Sequence, residues 1–428
     1  MADADVPARV LDAVDSLCDE MLVALRDVLR VPSVSGTDAE NDAQHHMSEM
    51  FDQGGLDVDL WQIDLPTLTS HADFPGMEVD RSEAWGLVGR LPGSDPDTGA
   101  TLMLNGHIDV VPVGDPTAWA DAPFEATMRD GRLYGRGACD MKAGLLAAHW
   151  SVQALRTAGV RLRGDLLVAS VQGEEDGGLG TFATLQRGWT ADACVIPEPT
   201  RLDIIPANSG ALTFRLRVRG RATHASRRAD GVSAIDKFVP VLAALHRLEA
   251  RRHQHVDPLA VRGELAHPLS IGTVTAGDWA SSVPDLLVAE GRLGVAIGEP
   301  VEHAQAEFEA AVAEACDDDP WLRERPVEVE WWGGQFASGR LPEGSDLVVR
   351  VRSAHDAATA NRPLDVYGAP YGSDLRLLTG LGGIPTLQYG PGDVVDAHSP
   401  LEHVIIEDVA TTARTLALLA LDVCGIHD

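Results

Sequence analysis

The chain has 428 residues, too many for one ordinary hydrophobic core, so two domains are expected. Its formal net charge is −31, and of its 34 basic residues only Lys142 and Lys237 are lysines; a surface this negative repels nucleic acid and anionic membrane. No apolar run approaches the roughly 18 residues of a membrane span, and the acidic start Met1-Ala2-Asp3-Ala4-Asp5 lacks the apolar stretch of a secretory signal. Cysteines 18, 139, 194, 316 and 424 are scattered and free of CxxC spacing, which predicts reduced thiols in a cytoplasmic protein. The acidic balance also predicts a salt-adapted, halophilic protein, because screening in concentrated salt removes the self-repulsion of like charges.

Apolar positions at helical spacing (Val10, Val14, Leu17, Met21, Leu25, Leu29) predict a helix over 8–30, which Pro32 stops. A second helix is expected over 40–54, ended by Gly54-Gly55. Short apolar runs then alternate with helical patterns: strands at 100–105, 165–171 and 193–196, helices at 141–158 and 179–187. Such alternation predicts an α/β domain with a mixed, largely parallel sheet and helices on both faces. The style changes after about residue 207. A strand at 211–218, a helix at 231–250, strands at 269–275 and 285–297, a helix at 301–316 and a strand at 326–332 follow. This β-α-β-β-α-β order predicts an inserted ferredoxin-like α+β domain. A helix at 344–359, a strand at 386–389 and a helix at 402–423 resume the first pattern. The expected organisation is a catalytic domain of residues 1–207 and 334–428, interrupted by a lid and dimerisation domain of residues 208–333.

The residues that carry chemistry fall at the ends of these elements. His107 and Asp109 lie two apart beyond an apolar strand, so both can project from one face. A metal-bound histidine usually has its other ring nitrogen held by a carboxylate or carbonyl, and Asp109 is placed to do this. Asp140 precedes Met141-Lys142-Ala143-Gly144, a helix start at which an aspartate ordinarily serves as N-cap. Glu174 and Glu175 follow a strand directly; adjacent residues diverge there, so one can bind metal while its neighbour faces substrate. Glu198 is fixed between Pro197 and Pro199, and His398 lies in Ala397-His398-Ser399-Pro400. Singly, each reads as well as a cap or a solvated turn. Jointly, five suitable donors at the ends of one sheet point to a two-metal hydrolytic site. A rival pattern is Gly178-Leu179-Gly180-Thr181-Phe182-Ala183, a GxGxxA turn suited to an NAD-dependent dehydrogenase. Glu174, Glu175 and Asp176 argue against it, since three carboxylates cancel the attraction of a helix N-terminus for pyrophosphate.

These residues resemble the zinc-dependent deacylase and exopeptidase family that includes acetylornithine deacetylase, succinyl-diaminopimelate desuccinylase, aminoacylase and carboxypeptidase G. The resemblance covers Asn105-Gly106-His107-Ile108-Asp109-Val110-Val111-Pro112, Gly135-Arg136-Gly137-Ala138-Cys139-Asp140-Met141-Lys142 and Gly173-Glu174-Glu175. It continues through Pro197-Glu198-Pro199-Thr200, Gly220-Arg221-Ala222-Thr223-His224-Ala225-Ser226, Gly372-Ser373-Asp374 and Ala397-His398-Ser399-Pro400. It implies that Asp140 bridges two divalent metal ions, zinc foremost and cobalt or manganese otherwise. One ion would also be held by His107 and Glu198, the other by Glu175 and His398. A hydroxide bridging the ions would attack an amide carbonyl, with Glu174 as general base and Asp109, behind His107, also counted among the catalytic residues. His224, on the inserted domain, would reach the active site of a partner subunit and help hold the oxyanion, which implies a homodimer. A non-proline cis peptide between Asp140 and Met141 is a further implied trait.

Two segments depart from the family pattern. Ser281-Ser282-Val283-Pro284-Asp285 has Ser282 where relatives often carry Asn, which leaves Ser282 as the substrate-contact candidate there. Ala369-Pro370-Tyr371-Gly372-Ser373-Asp374-Leu375-Arg376 lacks the Thr of the common Gly-Thr-Ser-Asp form and is similar to a branch that includes formyl-aminopyrimidine deformylases. Arg292 and Arg376 are candidates to hold a substrate carboxylate, which a guanidinium matches bidentately. The expected reaction is deacylation of an N-acyl amino acid or related amine, N-acetylornithine foremost, in amino-acid biosynthesis. A dipeptidase, a carboxypeptidase or an N-formyl-aminopyrimidine deformylase are the alternatives on the same fold.

Overall fold

The computed structural model describes residues 6–95, 97–260 and 265–427. The chain divides into two compact units, one of Met1–Pro206, Arg340–Tyr367 and Asp374–Asp428, the other of Ala207–Gly339 and Gly368–Ser373. Among the described residues no helix is long and apolar enough to cross a membrane.

The larger unit is built on a mixed sheet. Its centre is four parallel neighbours in the order Leu166–Val171, Leu102–His107, Ala193–Ile196 and Thr386–Gln388. Every residue of these strands is buried, as apolar runs covered on both faces require. Their alternation separates two cores. Leu102, Leu104, Leu166, Val168 and Val195 face one, packed with the helices Ala143–Thr157 and Ile406–Cys424. Met103, Leu167, Ala169, Cys194 and Ile196 face the other, which includes Leu375 and Leu378. Antiparallel strands flank the centre: Trp85–Leu91 and then Asp57–Gln62 on one side, Ile204–Asn208 on the other.

The smaller unit has the expected order: Gly210–Arg219, Ala234–Arg252, Leu269–Ala276, Leu286–Val295, Val301–Asp317 and Glu328–Phe336. Its four strands form an antiparallel sheet with Leu269–Ala276 outermost, then Leu286–Val295, Gly210–Arg219 and Glu328–Phe336. Leu212, Phe214, Leu216 and Val218 point to a core shared with Val241, Leu245 and Phe308 of the two helices. The alternate residues Arg215 and Arg219 face outward and pair with Glu290, Glu330 and Glu328. One face is therefore apolar and one charged, as a half-covered antiparallel sheet demands.

Three expectations about elements need correction. The helix over 8–30 is two helices, Val6–Ser16 and Cys18–Arg30, broken at Leu17. The strands Asp57–Gln62 and Trp85–Leu91 were not expected at all. The stretch over 402–423 opens as a strand, His403–Ile405, before the helix Ile406–Cys424 begins.

Candidate metal centre and active site

The first donor is placed by the central sheet. His107 is the last residue of its strand, with its ring almost fully buried. Its Nδ1 lies 2.9 Å from the Asp109 backbone carbonyl, which can only accept, so Nδ1 carries the proton. Nε2 then turns a lone pair toward Asp140 Oδ1, 3.1 Å away. A lone pair facing a carboxylate oxygen is stable only with a proton or a cation between them. The Asp109 carboxylate is 3.7 Å from Nδ1, so the expected carboxylate–histidine contact is made by the main chain instead. That carboxylate has different work: Oδ1 accepts the Glu174 N–H at 3.2 Å, and Oδ2 accepts the Glu175 N–H at 3.3 Å and the Ser35 hydroxyl at 3.0 Å.

Asp140 is not an N-cap. The regular helix starts at Ala143, the Asp140–Met141 peptide is cis, and Asp140 has φ −118° and ψ 96°. Its two oxygens serve two histidines, Oδ1 facing His107 and Oδ2 lying 3.3 Å from His398 Nε2. His398 Nε2 also lies 3.2 Å from Glu175 Oε2. Glu198 approaches closely because residue 144 is glycine: a Cβ there would sit 1.9 Å from the Pro197 carbonyl oxygen. The outcome is two triads of donors, His107–Asp140–Glu198 and Asp140–Glu175–His398, each with its donor atoms within 4.8 Å of one another. A third cluster, Glu299–His303–Glu307, is different, because Arg252 already pairs with both glutamates.

Peptidase family M20/M25/M40 matches residues 103–422. The chain belongs to this family. It is 28% identical to N-formyl-4-amino-5-aminomethyl-2-methylpyrimidine deformylase of Halalkalibacterium halodurans, over 100% of each chain. It is 29% identical to an acetylornithine deacetylase of Myxococcus xanthus, over 76% of this chain and 81% of that one. In fold it is similar to a di-peptidase from Saccharomyces cerevisiae, with a TM-score of 0.76 at 17% identity, covering 97% of this chain and 98% of that one. The protein is thus a metallohydrolase of amide bonds.

The donor set of this M20 hydrolase fits divalent cations on electrostatic grounds. Asp140, Glu175 and Glu198 crowd one place, and burial, opposed by His107, pushes the Glu198 carboxyl up to about 8. His398 is pushed up to about 11, chiefly by Glu175. For Asp140, burial is outweighed by hydrogen bonds from His107 and His398, which hold its carboxyl below the usual range. Protons therefore take the place of cations when no ion is bound, and two divalent ions would supply that positive charge in their stead.

Glu174 is buried beside this cluster, and burial, followed by the charge of Asp374, raises its carboxyl well above the usual range. Asp374 itself accepts from the Thr181 hydroxyl at 2.6 Å, and a Cβ on Gly178 would meet its Oδ1 at 2.6 Å. A carboxylate thus occupies the start of the helix Leu179–Gln186, where a dehydrogenase would receive pyrophosphate. Arg376 is also buried, and its Nη2 donates to the Gly177 carbonyl at 2.8 Å, so it braces the loop after Glu175. In the smaller unit Arg292 lies over the Phe336 ring, 5.6 Å from its centroid. His224 is exposed there and pairs with Ser282 in an isolated antiparallel bridge. The Ser226 N–H donates to His224 Nδ1 at 3.2 Å, which fixes Nδ1 as an acceptor and leaves the proton of the neutral ring on Nε2.

Several residues that shape the centre carry no signal in the sequence patterns. Arg81 joins Glu40, at 3.0 Å, to Asp176, at 2.8 Å, and Asp176 Oδ2 accepts the Glu78 and Val79 N–H groups. Lys142 is fully buried and donates to the Val28 and Val31 carbonyls at the end of the helix Cys18–Arg30. Glu402, buried among Arg136, Cys139 and Asp140, is the third. None lies on a periodic pattern; only the spacing of an acid four residues after His398 hints at Glu402.

Proposed function

We propose that the protein removes a small acyl group from an N-acyl amine or amino acid, using two zinc ions that share Asp140. The observation that carries this reading is the pair of donor triads meeting at one carboxylate, with Glu174 buried alongside. When bound, the ions polarise the amide carbonyl and make water a nucleophile near neutral pH. Glu174 takes the proton of the attacking water and delivers it to the departing nitrogen. Asp109 holds the N–H groups of Glu174 and Glu175 together, so the base and one donor are aimed by the same carboxylate. His107 is kept in the tautomer that offers Nε2 to an ion.

His224 presents an Nε2–H donor from an exposed position, and this reading has it hold the oxyanion in the active site of a second copy. Support for a homodimer comes from the smaller unit, whose outer strand Leu269–Ala276 has one sheet neighbour among the described residues. Val274, Trp279, Ile235 and Val239 expose large apolar side chains on the same unit.

A formyl group on an aminomethylpyrimidine is the second reading of the substrate. It is favoured by the full-length similarity to the H. halodurans deformylase and by Gly372-Ser373-Asp374 in place of the Thr-containing form. Incubating the zinc-loaded protein with N-formyl, N-acetyl and N-succinyl amines and with dipeptides separates these readings. An N-acyl amine is expected to turn over at least about tenfold faster than any dipeptide, a gap of roughly 1.4 kcal/mol in activation energy. Glu174→Ala should lower kcat by about 10²–10⁴-fold with ion content unchanged. Faster dipeptide turnover would make this a peptidase, and an active Glu174→Ala would remove the base.

A further inference from the structure

Glu402 lies four residues beyond His398 and is wholly buried, yet it belongs to neither donor triad. Its own backbone is pinned: its carbonyl accepts the Gly135 N–H at 3.2 Å, and His403–Ile405 pairs antiparallel with Arg132–Tyr134. Its side chain grips the segment on the far side of that pairing. Oε1 accepts the N–H of Cys139 at 3.3 Å and of Asp140 at 3.4 Å, and Oε2 pairs with Arg136. Arg136 is buried too, donates to the Pro112 carbonyl at 3.3 Å and lies over the Trp119 ring.

The two triads depend on this brace unequally. His107 ends its strand in register with Val171 of the neighbouring strand, and Glu198 follows the strand Ala193–Ile196 by two residues, its N–H donating to the Ile196 carbonyl at 2.9 Å. His398 has no such frame. It sits in a loop with φ +58°, and its side chain is 53% exposed. Besides the Gly135–Glu402 main-chain bond and a Cys139 Sγ contact with the Asp393 carbonyl at 3.7 Å, it is the Glu402 carboxylate that ties the His398 segment to the Asp140 segment.

We propose that Glu402 is a positioning residue that sets the reach of His398 toward Asp140. The ion held by Asp140, Glu175 and His398 then depends on it through two donors, and the ion held by His107, Asp140 and Glu198 through Asp140 alone and therefore less. The inference rests on the two-ion reading above. It assigns unequal affinities to the two ions and gives a cause for the difference.

The test is Glu402→Asp, which keeps the charge and the partner for Arg136 but withdraws the oxygens from the Cys139 and Asp140 amides by one methylene. Wild type, E402D, H398A and the double variant are loaded with Zn²⁺, titrated with a chelator, and assayed for bound ions by elemental mass spectrometry. Wild type is expected to hold two ions. E402D should keep one ion near wild-type affinity and bind the other about 10–100-fold more weakly. The double variant should match H398A, because both changes act on the same ion. Equal weakening of both ions, no weakening, or additive effects in the double variant would overturn the proposal. If E402D does not fold, Arg136→Lys is put through the same titration, with the same selective loss expected. A wild type that binds fewer than two ions sinks the two-ion reading itself, a result plainly different from two ions lost together.

Discussion

At the scale of single residues, this protein buries acids whose charge nothing in the ion-free chain fully balances. Burial is the leading cause that pushes Glu198 to about 8 and Glu40 and Glu402 to about 7, against an ordinary value of 4.5. A carboxyl raised by folding binds its proton more tightly in the native state than in the unfolded one. Its contribution to stability is therefore complete below about pH 4.5 and is lost as pH climbs through 7 to 8. His398, raised to about 11, works in the same direction from its ordinary 6.5 upward. The ion-free protein should thus melt at progressively lower temperature between pH 5 and 8. Saturating Zn²⁺ should reduce that slope by the share of Glu198 and His398, which belong to the donor triads, since binding releases their protons and not those of Glu40 and Glu402. Calorimetry on ion-free and ion-loaded protein across this range decides it; parallel slopes would mean that Glu198 and His398 are not where the ions go.

At the scale of elements, the outer strand Leu269–Ala276 offers the most direct handle on assembly. An unpaired strand edge with exposed apolar side chains invites a second copy, and a charge on it prevents pairing. Val274 is exposed on this strand, so Val274→Lys should leave the fold of the smaller unit intact and yield a monomer in sedimentation. Activity should fall with the dimer while ion content stays at the wild-type level, because the donors all lie in the other unit. A variant that remains dimeric moves the interface elsewhere. The elements themselves were unequally legible. The parallel core strands were plain in sequence because burial on both faces forces continuous apolar runs. The strand Trp85–Leu91 was hidden by its glycines, which read as turns; in fact Gly86 lies opposite Trp61, whose ring fills the space a Cβ would take. The break at Leu17 was hidden because apolar spacing continues across it. For the site, the candidate donors that the structure brings together could be picked from residue type and order, whereas the contacts of Asp109 and Glu402 depend on long-range backbone positions that no local pattern carries.

At the scale of the whole molecule, 65 acidic against 34 basic residues leave a large charge that no arrangement of pairs can neutralise. Two effects of salt oppose each other. Exposed pairs such as Arg219–Glu328 and Arg350–Asp422 weaken as salt rises, but each is worth about 1 kcal/mol or less. The excess negative charge repels itself across the entire surface, and its relief grows as the screening length shrinks from about 10 Å at 0.1 M to about 3 Å at 1 M. With a net charge of −31, relief of this repulsion is expected to outweigh the loss of the pairs. The melting temperature should rise by several degrees, on the order of 1 kcal/mol or more, between 0.1 M and 2 M KCl. The choice of salt matters: sulfate stabilises almost any protein by exclusion from its surface, so a rise seen only in sulfate would say nothing about charge. A melting curve that stays flat or falls in KCl would show that the charged pairs, and not the repulsion, govern the response.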